Sequence, residues 1–258
     1  MKFRVFITAV FLLGCGLLTG CDGNTPLMNQ VNDGNKAKVE QLIAGGADVN
    51  AKNARGFAPL NWGIYQSSLS REVVELLIDA GADVNAQDDT DGLTALHGAI
   101  YVDMGMDMVT LLVDKGADVN LTTKKGWTPL HYAVDMENLD AVRLLVDRGA
   151  ASNVKNQEGW TPFSRAALYG RTDMTQLFLA KGADTSSLHM AAFTGDLSRV
   201  RELIETGTDI DTKDEFGWTA LFWAACSGQT NVAEFLIENK ADLNAQVPMI
   251  PAVSIFPS

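Results

Sequence analysis

GADVNA stands at residues 46–51, and its first five residues return as Gly81-Ala82-Asp83-Val84-Asn85 and Gly116-Ala117-Asp118-Val119-Asn120. Weaker echoes start at Gly149, Gly182, Gly207 and Lys240, so successive starts lie 35, 35, 33, 33, 25 and 33 residues apart. Self-similarity at such a period marks a chain of stacked units rather than one closed core. Between the echoes, Thr25-Pro26, Thr128-Pro129 and Thr161-Pro162 read as helix starts. Threonine caps, and proline takes the first helical position, where its missing N–H is no loss. Small pairs follow, as in Ala166-Ala167, Ala191-Ala192 and Ala224-Ala225, and let neighbouring first helices approach. A second helix carries an apolar pair such as Leu77-Ile78, Leu112-Val113, Leu145-Val146 or Leu203-Ile204, which must bury against the next unit. Glycine closes that helix, and segments like Asp214-Glu215-Phe216-Gly217 turn the chain into the next repeat. One unit cannot bury its own apolar face, so stacking is obligatory.

A period near 33 with TPLH-like and GADVNA-like segments resembles the ankyrin repeat, over about residues 25–246. The resemblance implies an all-α solenoid of about seven helix–turn–helix units with β-hairpin fingers. One finger is missing before repeat 6, because Gly182 reaches Leu188 in six residues where other units use 14 or 15. That deletion either leaves a notch or separates two sub-stacks. Repeats 2 and 3 carry insertions between their helices, around Gln66-Ser67-Ser68-Leu69-Ser70 and Asp103-Met104-Gly105-Met106, and the third finger is longer at Asp89-Thr90-Asp91.

The segment GWTPLHYAV, residues 126–134, sets His131 beside Thr128 and Tyr132 and raises the question of a chemical site. His97, His131 and His189 share one slot after the first leucine of their units, and recurrence at the repeat period speaks for architecture. The resemblance implies that this histidine bonds near the helix start and the adjoining hairpin. No phosphate-loop, zinc-protease, paired-cysteine or nucleophile-elbow pattern is present. The cluster Asp88, Asp89, Asp91, Gly92 lacks the first ligand and the twelfth-position glutamate of a calcium loop. No catalytic residue, metal or cofactor is expected, and Cys226 reads as a small, partly buried side chain.

The first 20 residues read as a signal peptide. Lys2 and Arg4 precede an uncharged, mostly apolar run of 14 residues, Val5 to Leu18, shorter than the roughly 20 needed to span a bilayer. Leu18-Thr19-Gly20-Cys21 resembles the lipobox of bacterial lipoproteins, which implies cleavage before Cys21 and lipid attachment to its thiol. A rival box ends at Cys15, and an ordinary secretory signal or short anchor is the other alternative. Residues 21–24 form a short tether, and Asp22 resembles the inner-membrane retention signal of enteric bacteria, so a lipid-anchored chain facing the periplasm or cell exterior is expected. Residues 247–258 (VPMIPAVSIFPS) are an uncharged tail with three prolines, either a lid or the mark of an array that continued.

The net charge is −12, and removing residues 1–20 takes away two bases and no acid, which leaves −14. Nucleic acid is thereby disfavoured as a partner, whereas a basic protein surface is compatible. The resemblance implies binding through hairpin tips and first-helix positions lining a concave groove. Tyr65, Tyr101, Trp127, Met136, Trp160, Tyr169, Phe193 and Trp218 are the candidates, aromatics being the usual anchors of interfaces. A bracing role within the stack is the other reading of the three GWT tryptophans. The expected function is non-enzymatic capture of a protein at a membrane. An envelope immunity or inhibitor protein is one alternative, and a structural envelope scaffold another.

Overall fold

The computed structural model describes residues 23–214 and 216–245. Cys21, Asp22, the signal segment and the apolar tail lie outside the described residues. Those described hold fourteen helices in seven pairs and no β-strand. The chain divides after Lys124 into two compact units. The first unit contains α1 (Pro26–Asn32), α2 (Lys36–Ala44), α3 (Pro59–Tyr65), α4 (Arg71–Asp79), α5 (Ala95–Tyr101) and α6 (Met106–Asp114). The second contains α7 (Pro129–Asp135), α8 (Leu139–Asp147), α9 (Pro162–Leu168), α10 (Thr172–Ala180), α11 (Leu188–Thr194), α12 (Leu197–Glu205), α13 (Ala220–Cys226) and α14 (Thr230–Glu238). First helices stack on neighbouring first helices, as α3 does on α5 and α11 on α13, and second on second, as α8 does on α10. No described helix is long and apolar enough to cross a membrane.

Two turns per first helix leave little intrinsic stability, since isolated helices this short are marginal in water. Caps and packing make up the difference. Thr25, Thr94, Thr128, Thr161, Ser187 and Thr219 each accept a backbone N–H from the first turn. Ala58 stands in that slot of repeat 2 and caps nothing. The second helices supply the core: Val39, Val74, Val142 and Val200 recur in one slot, Leu77, Leu112, Leu145 and Leu236 in another, and all eight are fully buried. Glycines close these helices in left-handed geometry, such as Gly81 at φ 94° and Gly116 at φ 94°, a region that favours residues without a Cβ.

The fingers are turns built on one residue, not paired strands. Asn53 Oδ1 accepts the N–H groups of Arg55 and Phe57, both at 3.0 Å. Asn156 does the same for Glu158 (3.0 Å) and Trp160 (2.9 Å), and Asp214 for Phe216 and Trp218, both at 2.9 Å. In the longer third finger Asp88 accepts from Thr90, Asp91 and Leu93 at 2.7, 2.9 and 2.7 Å. Three N–H donors occupy that carboxylate, so it is a turn nucleus. Neighbouring turns then interlock through an asparagine ladder: Asn50 accepts from Asp83 N at 2.8 Å and donates to Gly81 O at 2.9 Å, and Asn85 repeats this toward Asp118 and Gly116.

An aromatic contact bridges the missing finger within the second unit. Trp160 of the fifth finger reaches past the deletion and stacks on Phe216 of the next finger present, with centroids 3.6 Å apart and planes 15° apart. The insertion in repeat 2 folds inward as well. Leu69 is buried over Gly63, where an added Cβ would fall 2.7 Å from Leu69 and 2.5 Å from Val31.

Candidate functional site

Four sequence-picked residues of the second unit, Trp127, Met136, Trp160 and Tyr169, belong to adjoining segments of repeats 4 and 5, and three of them surround one charged pair. Arg165, from the middle of α9, sends Nε to Asp135 Oδ1 at 2.7 Å and Nη2 to Asp135 Oδ2 at 2.6 Å. Both side chains are nearly shut off from solvent, at 2% and 5% exposure. The Arg165 guanidinium carbon lies 4.6 Å from the Trp127 ring centroid, 5.4 Å from Tyr169 and 6.0 Å from Trp160, within reach of cation–π attraction. Arg165 Nη2 also approaches the Tyr169 hydroxyl at 3.4 Å. Burial pushes the Asp135 carboxyl above its ordinary range, against the hydrogen bonds and charge of Arg165. Burial likewise raises the Tyr169 phenol, with Arg165 opposing.

Trp160 and Tyr169 are half-buried and present an edge to solvent, as does Met136 at the end of α7. Trp127, Phe193 and Trp218 are 3%, 9% and 2% exposed. Their side chains brace the stack from inside rather than lining its open face. Trp127 packs on His131 and Tyr132, Phe193 lies edge-on to Trp223, and Trp218 sits between Trp160 and Phe222. In the first unit Tyr65 is half-buried against Phe57 at 5.4 Å and above Gly98, where a Cβ would come within 3.1 Å of its ring. Tyr101 is half-buried at the end of α5, and its burial raises the phenol pKa. A cleft of about 920 Å³ opens between the first unit's finger turns, lined among others by Lys52, Gln87, Asp89, Thr122 and Lys124. Lys52 Nζ is already committed to Gln87 O at 3.0 Å and Asp89 Oδ1 at 2.9 Å.

His131 is structural. Its Nδ1 meets Thr128 Oγ1 at 2.8 Å and its Nε2 meets Trp160 O at 2.9 Å, so one ring ties a helix cap to the following finger. His189 reaches Thr212 O in the same way at 2.9 Å. Cys226 is exposed at the end of α13, not partly buried as its sequence slot suggests, and partial desolvation still raises its thiol, which disfavours the reactive thiolate. No group of three or more His, Cys, Asp or Glu among the described residues could hold a metal ion.

Sequence reasoning about aromatics passed over Arg165 and Asp135. The signal was there by slot. Four residues after the cap, the other repeats carry Asn29, Trp62, Gly98, Tyr132, Ala191 and Trp223. Seven residues after it they carry Asn32, Tyr65, Tyr101, Leu168, Thr194 and Cys226. Neither slot is charged anywhere else.

A helix-pair solenoid with half-exposed aromatics and no catalytic cluster among its described residues defines a binding scaffold. The family model described as ankyrin repeats (3 copies) matches residues 7–88, 68–156, 96–187 and 184–247. The chain belongs to the ankyrin-repeat family, whose repeats are protein-interaction modules and typically carry no enzymatic activity. It is 40% identical over 60 residues to human protein phosphatase 1 regulatory subunit 27, covering 23% of this chain and 39% of that protein. It is 43% identical over 56 residues to human ankyrin repeat domain-containing protein 39, covering 22% and 31%. Palmitoyltransferase akr1 of Schizosaccharomyces pombe shares 45% identity over 60 residues, 23% of this chain and 9% of that protein. The matched segments thus span well under half of each of these relatives.

Proposed function

We propose that this chain is a non-enzymatic capture protein, held at a bacterial membrane by lipid on Cys21 and binding a protein partner through the open face of its repeats. The observation that supports this most is the half-exposed pair Trp160 and Tyr169, which lie beside a buried ion pair. Tyr and Trp supply large contact area at low entropic cost, which is why they anchor interfaces. Tyr65, Tyr101 and Met136 are the further contact candidates. A partner with basic surface fits the net charge, and an interface of about 800 Å² per partner is within reach of such a scaffold.

The experiment is affinity capture from detergent-solubilised envelopes with wild type and with Trp160→Ala and Tyr169→Ala. A hot-spot residue should weaken retention of the captured protein by about 30-fold. Normal capture by both folded variants would place the interface elsewhere. For the tether, Cys21→Ser should abolish incorporation of labelled fatty acid and release the chain from membranes. Continued labelling would refute attachment at that thiol. An immunity or inhibitor role, also compatible with acidity and tethering, predicts that co-expression protects cells from the captured protein.

A further inference from the structure

We propose that Arg165 and Asp135 are positioning residues, which fix the orientation in which Trp160 and Tyr169 meet a partner. This rests on the binding face described above.

The two charges depart from the repeat together. Both slots are uncharged in every other repeat, so the fold does not require charge there. The departures occur in adjacent repeats and their side chains find each other at 2.6 and 2.7 Å. Stability does not explain them, because a buried ion pair is often matched or surpassed by apolar residues of similar volume. Geometry does. A bidentate carboxylate fixes the plane of a guanidinium as well as its position. Trp127, Tyr169 and Trp160 are arranged around that plane at 4.6, 5.4 and 6.0 Å. Trp127 is buried, so Arg165 transmits its place to the two half-exposed rings. Phe216 stacks on Trp160 as well. Lysine could supply the charge but neither the fork nor the flat face.

The test uses the full chain with ¹⁵N-labelled tryptophan and ring-labelled tyrosine. The double variant Asp135→Leu/Arg165→Met should melt at or above the wild-type temperature, while the Trp160 indole and Tyr169 ring signals move and those of Trp62 stay. Arg165→Lys should show the same displaced signals. In Arg165→Ala, millimolar ethylguanidinium chloride should return both signals toward wild type and ethylammonium chloride should not. If the double variant fails to fold, this rescue decides. Unmoved Trp160 and Tyr169 signals in a folded double variant would overturn the proposal, as would equal rescue by the two cations. Normal capture by Trp160→Ala and Tyr169→Ala would instead remove the binding face, and the resonances would still report whether the pair positions the rings.

Discussion

Arg165 and Asp135 are stable only as a pair. Removing one leaves the other charge buried and uncompensated, so Asp135→Ala should destabilise the chain by about 3 kcal/mol or more in urea unfolding, while the double apolar variant does not. Acidity adds a second signature. Because burial holds the Asp135 carboxyl above its ordinary range, the folded chain keeps that proton where the unfolded chain has released it. The group's contribution is therefore full below the unfolded value, about 3.9, and is lost as pH rises through the folded one. The stability advantage of the apolar double variant over wild type should grow as pH rises above about 4. A constant difference would contradict that sign. Gly126 gives a sharper residue-level case. It sits at φ 78°, and a Cβ there would lie 2.9 Å from the Asn156 backbone. Gly126→Ala should cost about 1–3 kcal/mol through strain and crowding combined, measurable as a lowered urea midpoint.

At the scale of elements, the repeats repair one another's weak points, though not at every position. Repeat 2 has Ala58 where a capping hydroxyl belongs, and the buried Asn61 Oδ1 beside it has no partner. Ala58→Thr should restore the cap and offer a donor to that oxygen, raising stability by about 1 kcal/mol. In repeat 7 the ladder slot holds Asp211, which accepts from Asp242 N at 2.8 Å but cannot donate as Asn50 and Asn85 do. Asp211→Asn should add the missing donor and raise the melting temperature; no change would mean that the carbonyl opposite is already satisfied. Period, caps and glycine stops made the helix pairs readable from the sequence, because each reflects a local backbone demand. The fingers were readable as turns but not as turns without strands, since that depends on how fully one Asn or Asp side chain satisfies the backbone. The inward fold of Leu69 was hidden for another reason: it needs the vacancy over Gly63, a fact about volume between helices rather than about either segment alone.

For the molecule as a whole, binding residues were the least legible layer. Trp127, Trp160 and Trp218 occupy one sequence slot, yet only Trp160 keeps an edge in solvent. The difference follows from the missing finger, which draws Trp160 across to Phe216. Periodicity reports what repeats, whereas a surface is made by what does not. The last repeat shows the same logic at its outer side. Leu221 is only half-buried, while Leu60, Leu96 and Leu130 in its slot are at most 1% exposed, and Leu243 stands 66% exposed. Stability in a stack is a sum of nearest-neighbour terms, so amides of α13 and α14 should exchange with deuterium faster than those of α9 and α10. Equal protection would show that something covers that side.

The aromatic bridge over the deletion also makes the loss of that finger hard to reverse. Reinserting the absent eight or nine residues would force an indole off its phenyl partner before the new turn could find any bonds of its own. Ring contacts across the joint, Trp160 on Phe216 and Trp218 and Phe163 on Phe193, hold this array at its shortened length.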